Sequence, residues 1–176
     1  IEDRKVIRSA DSINHKISYK DILVRDKVSQ PIVLMSYKHE PFSDDNKKEM
    51  YALELLFELM DGSNSSRFTK NLVDKKKVAM NTFISFDTYS ANDNLITLGG
   101  SPRSGISIDQ FKNEMLNEFE FFVNNGLDEG ELDRIKSRLL ANNIYKFDSV
   151  FYQVMQVGML ETKGYNWELL DTYIND

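Results

Sequence analysis

Two histidines, His15 and His39, are the only imidazoles in the chain. Neither lies in H-E-x-x-H or in the inverted H-x-x-E-H, the helical spacings that aim two imidazoles at one zinc ion. Glu40 follows His39, but neighbours on a strand point to opposite faces. Both histidines therefore read as exposed loop residues. The absence of cysteine excludes a disulfide framework, a thiolate nucleophile and any Cys-based zinc site. Ser63, Ser65 and Ser66 have no base nearby in sequence and no G-x-S-x-G elbow, so they read as helix termination and capping. Gly99, Gly100 and Gly105 lack G-x-G-x-x-G spacing, and no P-loop Lys-Ser/Thr accompanies them. Glu118 and Glu120 stand two apart on a helical pattern and face different ways. No complete active site is present in the sequence; the chain reads as a support for chemistry done elsewhere.

The elements that carry these residues form one domain. The chain has 176 residues, 41% of them hydrophobic and 28% charged, which suits a single globular core. A net charge of -6 repels phosphate backbones, and the one dense basic run, Lys75-Lys76-Lys77, reads as a solvated turn, so no nucleic-acid partner is expected. No stretch approaches the roughly 20 apolar residues of a membrane span. Residues 1–20 are polar and aperiodic, a linker or N-terminal arm. Residues 21–176 make a single α+β domain whose two ends look cut.

Within it, Ile22-Leu23-Val24 is expected to form a short strand, and Pro31 to Lys38 a second one, buried on both faces because Ile32 to Met35 are continuously apolar. Met50, Leu53, Phe57 and Met60 have helical spacing, ended by Gly62 as a residue tolerant of positive φ. Ser65 or Ser66 caps a shorter helix with Phe68 and Leu72. Val78 to Phe86 alternates like a strand with two faces, and a polar loop returns the chain into a strand from Leu95 to Gly100. Ser107 with Gln110, and Asp128 with Glu131, open two helices through capping-box patterns; Asp148 or Ser149 opens a third. That last helix is apolar nearly all round and should be deeply buried. The order ββααββααα predicts a largely antiparallel sheet covered on one face by helices.

The run from Leu59 to Phe68, Leu-Met-Asp-Gly-Ser-Asn-Ser-Ser-Arg-Phe, followed by Leu72 and the strand from Val78, resembles a signature of the pitrilysin/insulinase zinc peptidases, which include mitochondrial processing peptidase. Gly126 to Leu132 and Gln153 to Leu170 extend the similarity, which covers roughly residues 20–176. The resemblance implies a processing-peptidase-like domain. In that family two similar domains make a half, and two halves close into a chamber around a peptide, with zinc held through H-x-x-E-H in the first domain. This sequence lacks that motif and so resembles the non-catalytic second domain of a bacterial, periplasmic member. No cofactor is expected in the chain itself, with zinc in the catalytic domain of the parent protein. Expected partners are a peptide substrate, that catalytic domain and a second half or subunit.

The resemblance also implies that the hairpin holds the end of a bound peptide, at Met80, Thr82, Gly99 and Gly100, by pairing with an extended strand. Where the family's opposite half carries an Arg and a Tyr, this sequence has Val73 and Met80, which points to the zinc-bearing half. Two alternatives stay open: a structural or assembly homologue that has lost proteolysis, and a protein-binding module.

Overall fold

The computed structural model describes residues 19–92 and 94–173. The expected arm, residues 1–20, falls outside the described residues except for its last two, as do His15 and Ile174. Strand β1 spans Val33–His39, helix α1 Lys47–Asp61, a π-helical turn Thr69–Lys75, β2 Ala79–Ser85 and β3 Asn94–Pro102. Helices α2 (Ile108–Asn125), α3 (Glu131–Phe147), α4 (Val150–Lys163) and the short α5 (Leu169–Thr172) complete the chain.

Strand β3 is central, antiparallel to β1 on one side and to β2 on the other. Its register places Gly100 between Val33 and Thr82, Gly99 between Leu34 and Phe83, and Leu98 between Met35 and Ile84. Side chains alternate across a strand, so Val33, Met35, Leu98 and Ile84 share one face. There they pack with Met60 of α1, Phe68 just before the π turn, Leu72 within it, and Phe111 and Met115 of α2. The α+β class, and an antiparallel sheet with helices over one face, are as the sequence pattern predicts.

Local chemistry explains the helix ends. Ser107 accepts from the Gln110 N–H and starts α2, Ser149 accepts from the Tyr152 N–H and starts α4, and Gly126, at φ 73°, closes α2. The π turn follows from wide bonding: the Lys76 N–H reaches the Asn71 carbonyl, and the Val78 N–H reaches the Leu72 carbonyl. A second cluster joins Phe42, Met50, Tyr51, Leu160 and Tyr165. The Tyr165 hydroxyl stands 2.6 Å from the Ser90 carbonyl and 3.1 Å from that of Phe42, tying the end of α4 to the loops around β1 and β2.

Several expectations need correction. Ile22-Leu23-Val24 forms no strand; its side chains are exposed and no described strand pairs with it. The described order therefore begins with one strand rather than two. The β1 run is buried on one face only, with Ile32 and Leu34 exposed, because the helices cover a single side of the sheet. Gly62 has φ -74°, so handedness does not select it; a Cβ there would collide with the carboxyl and carbonyl of Glu58. His39 is buried against Phe86 rather than exposed. Helix α4 buries only Leu160, although apolar residues surround it.

Candidate functional site

The face of the sheet away from the helices is where the described structure presents a surface with chemical character. Leu34, Ser36 and Lys38 of β1, Leu95 and Thr97 of β3, and Asn81, Phe83 and Ser85 of β2 point to it, by the alternation of paired strands. It carries no carboxylate, in a chain of net charge -6. Leu34 is 61% exposed and Phe83 39% exposed. They flank Gly99, whose missing side chain makes room for the Phe83 ring: a Cβ at Gly99 would lie 2.5 Å from that ring and 2.8 Å from the Val33 carbonyl oxygen. The Ser36 and Thr97 hydroxyls are bonded to each other at 3.0 Å beside this apolar shelf.

The four residues expected at a peptide-holding surface do not share one side. A register shift between Ala79 and Asn81 breaks the alternation of β2 at Met80. Ala79 is fully buried and Met80 is 45% exposed. Thr82 faces the helices and donates to the Asp61 carboxylate at the end of α1, at 2.6 Å. Gly100 also faces inward, where a Cβ would crowd the Phe111 ring and the Asn81 carbonyl. Gly99 alone of the glycine pair meets the open face. Both glycines lie in the central strand, paired on both sides, so an added strand would meet the outer edge of β1 or β2 instead.

The segment from Gly62 to Arg67 is a structural clasp. Arg67 is buried and grips both Glu131 carboxylate oxygens, at 3.2 and 2.7 Å, while also donating to the Gly126 carbonyl at 3.1 Å. Glu131 in turn accepts from the Asp128 N–H at 3.1 Å, but Asp128 does not cap α3 as its spacing to Glu131 suggests: the N-cap is Gly130, at φ 69°, with no side-chain cap bond. The Arg67 bond holds the Glu131 carboxyl below its ordinary range, and the same bond holds the guanidinium up. Arg138 of α3 reaches the Glu58 carboxylate at 2.7 Å and the Ser63 hydroxyl, so α3 is fixed to the end of α1 at a second point. The cap expected of Ser65 or Ser66 does not form: the π turn has no side-chain cap bond, and Ser66 donates to the Ser63 carbonyl instead. The clasp joins segments about 60 to 80 residues apart, which local sequence pattern cannot reveal.

Two other carboxylates, Glu54 and Asp61, are half-buried. Burial pushes Glu54 up, partly offset by hydrogen bonds from Tyr173 at 2.8 Å and Thr88 at 3.1 Å. Burial likewise pushes Asp61 up against its bond from Thr82. Among the described residues no three His, Asp or Glu side chains converge as metal ligands. His39 uses Nδ1 on the Glu40 carbonyl at 2.8 Å, and its Nε2 is enclosed without a partner. The described residues do not fit a zinc site. Lys76, the middle of the basic run, binds Glu114 and Glu118 at 2.8 and 2.9 Å.

A family model described as the peptidase M16 inactive domain matches residues 5–139. Among solved structures, a protease from Helicobacter pylori is similar with a TM-score of 0.77 and 22% identity, over 86% of this chain and 35% of that one. The peptidase M16 inactive domain from Pseudomonas fluorescens gives a TM-score of 0.70 at 16% identity, over 84% of this chain and 34% of that one. An inactive peptidase domain from Bordetella parapertussis gives 0.68 at 16% identity, over 86% and 81%. At these identities the structural likeness speaks for the fold. The chain spans about a third of the Helicobacter pylori protein. No curated protein matches the sequence with statistical significance. A family model covering most of the sequence, on a fold shared with inactive M16 domains, shows that the chain belongs to the peptidase M16 inactive-domain family, within the pitrilysin/insulinase zinc peptidases.

Proposed function

We propose that this chain is the non-catalytic second domain of a zinc-dependent endopeptidase that cleaves peptides or unfolded proteins. It forms part of the wall of a chamber and of the contact between two halves. Zinc and the water-activating Glu belong to the other domain of the same protein, in a periplasmic enzyme. The observation that carries this reading is the match to an inactive peptidase domain in a chain whose described residues offer no metal-ligand set. Val73, packed against the core, and Met80 stand where the resembled opposite half has an Arg and a Tyr, which favours the zinc-bearing half.

The chamber wall in this reading is the open face of the sheet, with Leu34, Phe83 and Gly99 at its centre. An extended peptide pairs along the outer edge of the sheet beside Met80 and rests apolar side chains on the shelf. Thr82 and Gly100 act from behind: Thr82 anchors β2 to Asp61, and Gly100 lets the strand settle on Phe111. In the longer protein, cleavage of an unfolded peptide is expected, with loss of activity on adding a chelator, while this chain alone cleaves nothing. A longer protein that folds, pairs with its second half and never cleaves would support a structural homologue instead.

A further inference from the structure

A cavity of about 310 Å³ lies between the end of α1, the segment from Ser65 to Lys70 and the first half of α3. None of these elements carries the open face of the sheet. Leu59 and Ile135, both buried, form the apolar part of its wall. Three cations line it as well, Lys70, Arg134 and Arg138. Lys70 and Arg134 are exposed and make no ion pair or side-chain hydrogen bond among the described residues. A Cβ at Gly130 would lie 3.5 Å from the Arg134 guanidinium, which places that group beside the start of α3. Arg138 is half-buried: its Nη atoms hold Glu58 and Ser63, while its Nε is enclosed without an acceptor.

The carboxylates of the same wall decide what the cavity attracts. Glu58 is matched by Arg138 at 2.7 Å, and Glu131 by Arg67, also at 2.7 Å. Asp128 also lines the cavity and makes no ion pair among the described residues. Two uncommitted cations, Lys70 and Arg134, thus face one uncommitted carboxylate, a local excess of positive charge in a chain of net charge -6. Coulomb attraction favours an anion there, and a pair of cations favours a doubly charged one. The size and the apolar wall favour a ligand with carbon in it, since sites for small organic ligands begin near ~300 Å³ and set a few charged groups among apolar ones. A bare inorganic anion would leave Leu59 and Ile135 without contact. We propose that this cavity binds a small organic dianion, a phosphate monoester or a dicarboxylate, held by Lys70 and Arg134 with its carbon skeleton against Leu59 and Ile135. The site stands independently of the peptidase function proposed above.

Titration calorimetry of the 176-residue chain with glycerol phosphate, glutarate and sulfate, at constant ionic strength, tests the assignment. At least one of the two organic dianions should bind saturably and more tightly than sulfate, and the one that binds names the head group. Lys70→Gln and Arg134→Gln each remove a charge-assisted contact and should weaken that binding about tenfold. Asp128→Asn removes the competing charge and should strengthen it. Lys136 is exposed on α3 outside the cavity, so Lys136→Gln should leave binding unchanged. All four positions are exposed, so the variants should melt with the parent chain when no ligand is present. Failure of both organic dianions to bind saturably overturns the proposal. So does sulfate that binds as tightly as they do, which marks a site for bare anions. An equal loss in Lys136→Gln overturns it too, since attraction would then come from the surface at large.

Discussion

The two faces of the sheet are made by the same three strands, yet they carry opposite kinds of residue. On the covered face Val33, Leu98 and Ala79 meet Phe111, Met115, Phe68 and Leu72, and nearly all of these are fully buried. On the open face Leu34, Phe83 and Leu95 stand exposed among hydroxyl and amide side chains. The adjacent glycines divide in the same way, with Gly100 making room for a core ring and Gly99 for a surface ring. Stability resides on one face, which leaves the other free to vary with what it contacts.

Substitutions that respect this division should separate stability from binding. Phe111→Ala empties a fully buried site and should cost ~3–5 kcal/mol by chemical denaturation. A cost under 1 kcal/mol would mean that α2 does not cover the sheet. Arg67→Ala leaves Glu131 enclosed without its cation, and a loss of about 3 kcal/mol is expected. If it costs no more than an exposed ion pair, up to about 1 kcal/mol, the clasp is not structural. Phe119, edge-on to Phe68 at 5.6 Å but only partly buried, should lose roughly 2 kcal/mol on truncation to Ala. On the open face, Leu34→Ser should change stability by no more than about 0.5 kcal/mol while weakening peptide retention in the proposed enzyme. Unchanged retention would remove the shelf from the binding surface. Gly100→Val cannot serve in its place, since it would disturb the core under Phe111.

The carboxylates give a further contrast, smaller and readable by pH. Asp61 and Glu54 have folded pKa values raised by burial. Their contribution to stability is present below their ordinary values, near 3.8 and 4.5, and is lost as pH rises through the raised ones. Glu131 is lowered by Arg67, so its contribution is present above its ordinary value of 4.5 and is lost as pH falls through the lowered one. Asp61→Asn should therefore lessen the decline in melting temperature on going from acid to neutral pH, and Glu131→Gln should lessen the decline in strong acid. If either variant keeps the full pH dependence, its carboxylate is not the group responsible.

Much of the covered face was legible in the sequence because its signals are local. The helical spacing of Met50 to Met60, the Ser107 and Ser149 caps and the alternation from Thr82 to Phe86 all sit within a few residues of the structure they specify. The misreadings share a different origin. An apolar run such as Ile32 to Met35, or an all-apolar helix such as α4, states that burial would be favourable without stating which neighbours exist to provide it. Ile22 to Val24 has strand composition but no described strand to bond with. The shift at Met80 moved that residue off the face of Thr82, and no alternation pattern contains a bulge in advance. Arg67 was visible as part of a motif, but its partner 64 residues away was not.

The central claim is that this domain lacks the chemistry and serves an enzyme that has it. Its most direct test is cleavage of an unfolded peptide by this chain and by the longer protein, each with and without a chelator, with bound zinc measured in parallel. The account predicts no cleavage and no tightly held zinc for the chain alone, and chelator-sensitive cleavage with bound zinc for the longer protein. Chelator-sensitive cleavage by the 176-residue chain itself would contradict it.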